Sequence, residues 1–201
     1  EPRGQQRRQQ HPQGVELPHV AEVAEHGCTQ AAVGQLTAMV GADPQVYARI
    51  EAAISAWASK VVHLGPVGTG HKMKLLNNFL SMGYASIYAE ALALGQKVGI
   101  SIETFDSVVR GGRMDCGFYQ TFMGYALEGN PEAHKFTLSN AAKDLRYVDA
   151  MASATKMANP MSSAAKNLFA QAVGTGRGDD FVPMITDFVA EMNGMKHKPR
   201  G

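Results

Sequence analysis

Cysteine is nearly absent. The 201-residue chain holds two, Cys28 and Cys116, far apart and in neither a CxxC nor a metal-ligand spacing, which excludes a disulfide framework. Its seven histidines form no HxxxH or HExxH pattern, so no metal is expected. An excess of charge is missing as well: 19 Lys+Arg against 18 Asp+Glu leave a formal +1, far from the basic footprint of a nucleic-acid binder. Apolar runs are short. The longest uncharged one, residues 75–89, falls below the roughly 18–20 residues of a membrane span and includes Asn77, Asn78 and Ser81. The chain opens at Glu1 with no positively charged segment followed by an apolar one, so neither a secretory signal nor a natural start is expected there. A reducing cytoplasm suits this composition.

What is present is an ordinary folding composition, 45% hydrophobic and 18% charged, and a chain long enough to bury a core. The first fourteen residues hold five Gln and three Arg without a large apolar side chain, and they predict a disordered tail. Residues 1–33 stay unassigned, with one short amphipathic helix over 15–33, through Val20, Val23 and Ala24, as the only structure suggested. From Gly34 the run GQLTAMVGAD predicts a strand ending at Gly41, with Asp43 as N-cap and Pro44 as first helical residue. Val46, Ile50, Ala53, Ile54 and Trp57 then recur at helical spacing, and VVHLG at 61–65 predicts a second strand. One β-α-β unit is too small to stand alone, so residues 34–65 read as the end of a larger α/β domain.

After Gly70 every periodic segment has a helical rhythm. Helices are predicted near 69–98, 102–110, 116–127, 137–157, 161–174 and 180–193, separated by glycine and proline turn signals, with residues 196–201 as a tail. The fold class is therefore mainly α, with a helical domain over residues 66–195.

The most informative stretch is GPVGTGHKMKLLNNFL, in which Gly65, Gly68 and Gly70 lead into the longest helix. Free N–H groups and the positive dipole end at such a junction favour a carboxylate or phosphate. Lys74, Asn78 and Ser81, spaced by four and three, share one helix face. The residues around them are apolar, so the helix is expected between layers, where a lysine suits general acid–base work and an asparagine can hold a hydroxyl. A lysine that snorkels to water beside an ordinary asparagine is the plainer reading of the same pattern. Gly174-Thr175-Gly176-Arg177-Gly178 reads as a link between helices, with a phosphate cradle as its alternative, and His71 could line a pocket.

The motif G-x-x-G-x-G-x-x-x-K-x-x-N-N, Gly65 to Asn78, resembles the signature of the β-hydroxyacid dehydrogenases, which include 3-hydroxyisobutyrate dehydrogenase. GQLTAMVGAD and VVHLGPVGTG resemble the last strands of that family's dinucleotide-binding domain; AEALALGQKVGI and FTLSNAAKDLRYVDAMA resemble its all-helical C-terminal domain. The resemblance covers about residues 32–193. It implies a β-α-β remnant of a Rossmann domain followed by the helical domain of a hydroxyacid dehydrogenase, using NAD or NADP on a small 3-hydroxy acid. It further implies Lys74 as general acid–base, Asn78 orienting the substrate hydroxyl, Gly68, Thr69 and Gly70 against the substrate, and Lys143 reaching the cofactor or substrate. Without the resemblance, Lys143 beside Asp144 reads as solvated surface. The family's helical domains commonly pair, and this helix is apolar nearly all round, so a homo-oligomer, dimer or tetramer, is expected.

Two departures stand out. No GxGxxG precedes Gly34, and EHGCTQAAV is only loosely comparable, at Gly27 and Cys28, to the family's serine-glycine-glycine substrate segment. The expectation is therefore a truncated chain that binds NAD(P) weakly, in the millimolar range or worse. A non-catalytic helical association module derived from such an enzyme, and an imine or carbonyl reductase relative, are the alternatives.

Overall fold

The structure, a computed structural model, describes residues 21–24 and 36–195. The expected tails at 1–14 and 196–201, and the segment around Gly27 and Cys28, lie outside the described residues.

Strand β2 (Leu36–Gly41) pairs in parallel with β3 (Ala58–His63), and helix α1 (Pro44–Ser55) makes the crossover between them. Asp43 occupies the N-cap and Pro44 the first helical position, as the dipeptide predicts, because a proline there forfeits an N–H that would have no intrahelical partner. The register slips between Leu36 and Thr37, whose partners are Ala58 and Lys60, and the skipped Ser59 donates its hydroxyl to the Leu36 carbonyl at 3.3 Å. The second strand thus begins at Ala58, three residues before the VVHLG run, and α1 ends before Trp57. The helix expected within 15–33 is corrected at the residues described there: Glu22–Ala24 form a short strand, β1, antiparallel to β2. Neighbour pairing along β2 outweighs a faint helical periodicity there. The sheet order is β1-β2-β3, with its own small core of Leu36, Ala38, Val40, Ile54 and Ala58.

The remainder is helical, as the rhythm after Gly70 predicts: α2 (Thr69–Lys97), α3 (Ile102–Val109), α4 (Gly117–Glu128), α5 (Leu138–Ala154), α6 (Pro160–Ala172) and α7 (Ile185–Met192). Starts are set by local chemistry. Ser101 accepts from the Thr104 N–H, Thr137 from that of Asn140, and Pro160 opens α6. The expected 180–193 helix is shorter, because Val182–Met184 form a tight turn before Ile185. Residues 173–177 form one wide turn after α6, with Gly176 at φ +91, and Arg177 pairs there with Asp180 and Glu191. That segment works as a link between helices.

Helix α2 is the spine and packs on α5, α6 and α7. Met82, Tyr119, Phe122, Leu145, Phe169 and Ile185 form the core of the bundle. Two buried polar anchors fix its rim. Tyr119 donates to Asp106 at 2.9 Å, joining α4 to α3, and Tyr125 donates to Asp187 at 2.5 Å, joining α4 to α7. Burial first, and then the neighbouring carboxylate, pushes both phenols well above the usual tyrosine range.

Candidate active site

The site is built where the sheet hands the chain to α2. The loop after β3 turns through Gly65 at φ +100 and Gly68 at φ +96, left-handed conformations that strain any other residue. Gly68 is the N-cap of α2. Thr69 closes this turn by donating its hydroxyl to the Pro66 carbonyl at 2.7 Å. Gly70 faces the sheet instead: a Cβ there would stand 2.5 Å from the Met39 carbonyl oxygen. Its glycine serves the close approach of helix to strand, a role distinct from the open turn at Gly65 and Gly68.

Lys74 follows one turn later and is partly buried; Asn78, one turn further, is buried to 3% exposure. Asn78 does not stand alone. Its Nδ2 donates to Asp144 Oδ2 at 2.6 Å, across from α2 to α5. The other oxygen of that carboxylate, Oδ1, lies 3.3 Å from Lys143 Nζ. Asp144 is therefore the joint between the two expected site residues, Asn78 and Lys143. A carboxylate in this position accepts a charge-assisted bond, which fixes the carboxamide so that its oxygen has a set direction. Lys143 keeps 45% of its side chain exposed, while Asp144 keeps 9%. The cation thus reaches outward while the anion stays within.

Asp144 is the residue that sequence reasoning passed over. Its signal was available: on α5 it falls within the inward set Ala141, Leu145 and Val148, where a charged side chain needs a partner. Lys72 extends back over the turn, its Nζ 3.9 Å from where a Gly68 Cβ would stand, and His71 is exposed.

This arrangement of a partly buried lysine, an aligned carboxamide and an outward second lysine, beside an open glycine turn, can take an anionic, hydroxyl-bearing molecule. Residues 68–187 match the family model described as NAD-binding of NADP-dependent 3-hydroxyisobutyrate dehydrogenase. The chain belongs to this family. Among proteins similar to this member, 2-(hydroxymethyl)glutarate dehydrogenase of Eubacterium barkeri is 33% identical over 167 residues, 76% of this chain and 52% of its own. L-threonate dehydrogenase of Cupriavidus necator is 29% identical over 159 residues, again 52% of its own length. The chain thus spans about half the length of these curated relatives. The crystal structure of a 3-hydroxyisobutyrate dehydrogenase from Salmonella typhimurium superposes with a TM-score of 0.76 at 23% identity, over 85% of this chain and 60% of that one. This likeness shows the fold: a helical C-terminal domain behind the end of an α/β domain.

The family implies a nicotinamide dinucleotide, and the residues here fit part of one. Nothing lies within 4 Å of a Cβ at Gly65, so backbone is open to a ligand, and Lys72 stands over the same turn at Gly68. A turn to seat the pyrophosphate is not among the described residues.

Proposed function

We propose that this chain is the substrate-facing, helical part of an NAD(P)-dependent oxidoreductase that acts on a small 3-hydroxy acid of the 3-hydroxyisobutyrate kind. The observation that carries the reading is the linked set Asn78, Asp144 and Lys143, with Lys74 partly buried one turn before Asn78 on the same helix. Lys74 takes the proton from the substrate hydroxyl at Nζ, and returns it in the reverse direction. Asn78, held by Asp144 through one Nδ2 hydrogen, donates the other to the hydroxyl oxygen and aligns it, leaving the hydroxyl proton directed at Lys74. A bound nicotinamide, of either NAD or NADP, supplies the acceptor or donor of hydride at the carbinol carbon. Gly68 and Thr69 border the substrate, and its carboxylate gains from the N-terminal end of α2 and from Lys72. Lys143 contributes a charge contact to the cofactor or substrate from α5.

The protein works in the cytoplasm, a placement its cysteine-poor composition supports, and it functions as a homo-oligomer. Among the described residues no helix is long and apolar enough to cross a membrane. A second reading, a non-catalytic association module, draws on the broad apolar face that α2 leaves exposed. An imine or carbonyl reductase is the third, and it is disfavoured by a lysine at position 74.

The decisive assay uses a form that carries the dinucleotide-binding half. There, Lys74→Ala lowers turnover on 3-hydroxy acids by at least about a hundredfold, the usual scale for an acid–base group. An unchanged rate removes the lysine from the mechanism. For the 201-residue chain alone, titration calorimetry is expected to give a millimolar or weaker dissociation constant for NAD and NADP, about 4 kcal/mol. A micromolar constant would exclude the module reading.

A further inference from the structure

A cavity of about 320 Å³ opens between α2, α5 and the start of α6. Leu76 and Phe79 line it from α2, Val148 and Ala152 from α5. At about 100° per residue, Leu76 and Phe79 point about 140–160° round α2 from Lys74, and Val148 points about 140° round α5 from Lys143. The cavity thus stands on the far side of the Asn78–Asp144 bond from both lysines. It begins one residue past Asn78, at Phe79, and one turn past Asp144, at Val148.

Its lining selects against charge and against hydrogen bonding. Among the described residues, no side chain that lines it is ionisable. The three polar ones, Thr155, Asn159 and Ser162, have their hydrogens engaged within the protein. Asn159 Nδ2 donates one to Asp149 at 2.9 Å and the other to Ser162 Oγ at 2.8 Å. The Ser162 hydroxyl donates to the Asn159 carbonyl at 3.2 Å, and that of Thr155 to the Met151 and Ala152 carbonyls at 3.1 and 3.0 Å. A carboxylate or phosphate placed here would lose its water with no side-chain donor to replace it. The glycine turn and its neighbouring lysine suit an anion; this cavity does not. Met151, Met157 and Met161 add unbranched, polarizable side chains that adapt to an apolar guest, and Met157 and Met161, 64% and 62% exposed, form the lips.

We propose that this cavity is a binding site for an uncharged, apolar molecule about the size of two fused rings. Its volume is about twice the ~150 Å³ in which a dry, apolar protein cavity holds benzene, and it falls at the lower end of the ~300–1,000 Å³ of small-molecule sites. The site is independent of the reaction assigned to Lys74. Its occupant touches both helices that the Asn78–Asp144 bond joins, and so braces their crossing from behind.

The test follows the methionine methyl groups of the whole chain by NMR, assigned by Met→Leu substitution. 1-Naphthalenemethanol is expected to shift the Met151, Met157 and Met161 signals saturably, with a dissociation constant on the order of 100 μM for about a dozen heavy atoms. The signals of Met73 and Met114, exposed elsewhere, should stay in place. 1-Naphthoate, of similar size but charged, should bind at least tenfold more weakly. Ala152→Phe, which sets a ring inside the cavity, should abolish the shifts; should it fail to fold, Ala158→Trp at the exposed rim closes the mouth instead. No saturable shift up to 1 mM would overturn the site, and so would shifts that persist in a folded, filled variant. Naphthoate binding within threefold of the alcohol would overturn the ligand class. If a second copy of the chain fills the cavity, the three methyl signals change on dilution and the alcohol finds no room, which equally overturns the proposal.

Discussion

Asn78 and Asp144, 66 positions apart in the chain, meet through a 2.6 Å hydrogen bond that ties the spine helix to α5. Neither side chain has water to fall back on. Losing the carboxylate leaves the Asn78 donor unpaired, at a cost of about 1–3 kcal/mol for a neutral group. Asp144→Leu is therefore expected to destabilise the chain by about 2–3 kcal/mol, and Asp144→Asn, which still offers an acceptor, by about 1 kcal/mol. Urea denaturation read by circular dichroism checks both, and equal costs would show that the bond to Asn78 is not what matters.

Lys143 should behave in the opposite manner. Its ion pair is between adjacent residues and the lysine end is 45% exposed, a setting worth about 0–1 kcal/mol. Lys143→Met is expected to leave the melting curve within about 0.5 kcal/mol of the parent. In a form carrying the dinucleotide half, the same change should weaken cofactor or substrate affinity about tenfold. A stability loss without an affinity loss would make the lysine structural.

Two glycines of α2 make a matched pair of substitutions. Gly70→Ala drives a methyl to 2.5 Å from the Met39 carbonyl, a backbone atom with little room to yield. Overpacking of this kind costs about 1–3 kcal/mol. At Gly95 the nearest atom to an added Cβ is 3.7 Å away, and Gly95→Ala should instead stabilise by about 0.5–1 kcal/mol through helix propensity. Thermal unfolding of the two variants tests the contrast; a neutral Gly70→Ala would mean the strand can withdraw.

Acid unfolding has an identifiable contributor. Lys166 donates to Asp149 at 2.6 Å and Asn159 at 2.9 Å, and these bonds hold the Asp149 carboxyl below its ordinary range. A folded-state value below the unfolded one, about 3.9, means stability that is complete above pH ~4 and is lost as pH falls through the lower, folded value. Lys166→Met should therefore flatten the acid limb of stability against pH below about 4 and leave its slope at pH 6–8 unaltered. An unchanged acid limb would rule out this pair as a contributor.

The sequence displayed most of this fold because the helical domain announces itself locally. Ser101, Thr137 and Pro160 mark helix starts, glycines mark stops, and the apolar rhythm between them does not depend on distant partners. Strand β1 was not legible, since three residues carry too little pattern and gain their conformation only by pairing with β2. The three-residue error at β3 has a similar cause, for Ala58 and Lys60 are strand residues by virtue of register alone. At the proposed site, Lys74 and Asn78 stand out in the sequence through their shared helix face. Asp144 was hidden because its role depends on a crossing between α2 and α5 that no local spacing encodes, and an adjacent lysine offered a sufficient surface explanation.

The contact between Gly70 and the Met39 carbonyl has one more consequence. It leaves no slack between strand and helix, so β2 acts as a datum from which positions along α2 are measured. Lys74 stands one turn, about 5–6 Å, from that reference, and Asn78 one turn beyond. Any tilt or slide of the sheet is passed directly to the lysine, and only through the helix to the asparagine that α5 holds in place. The geometry between the two side chains is thus gauged from opposite ends, by a strand on one side and by a bundle helix on the other.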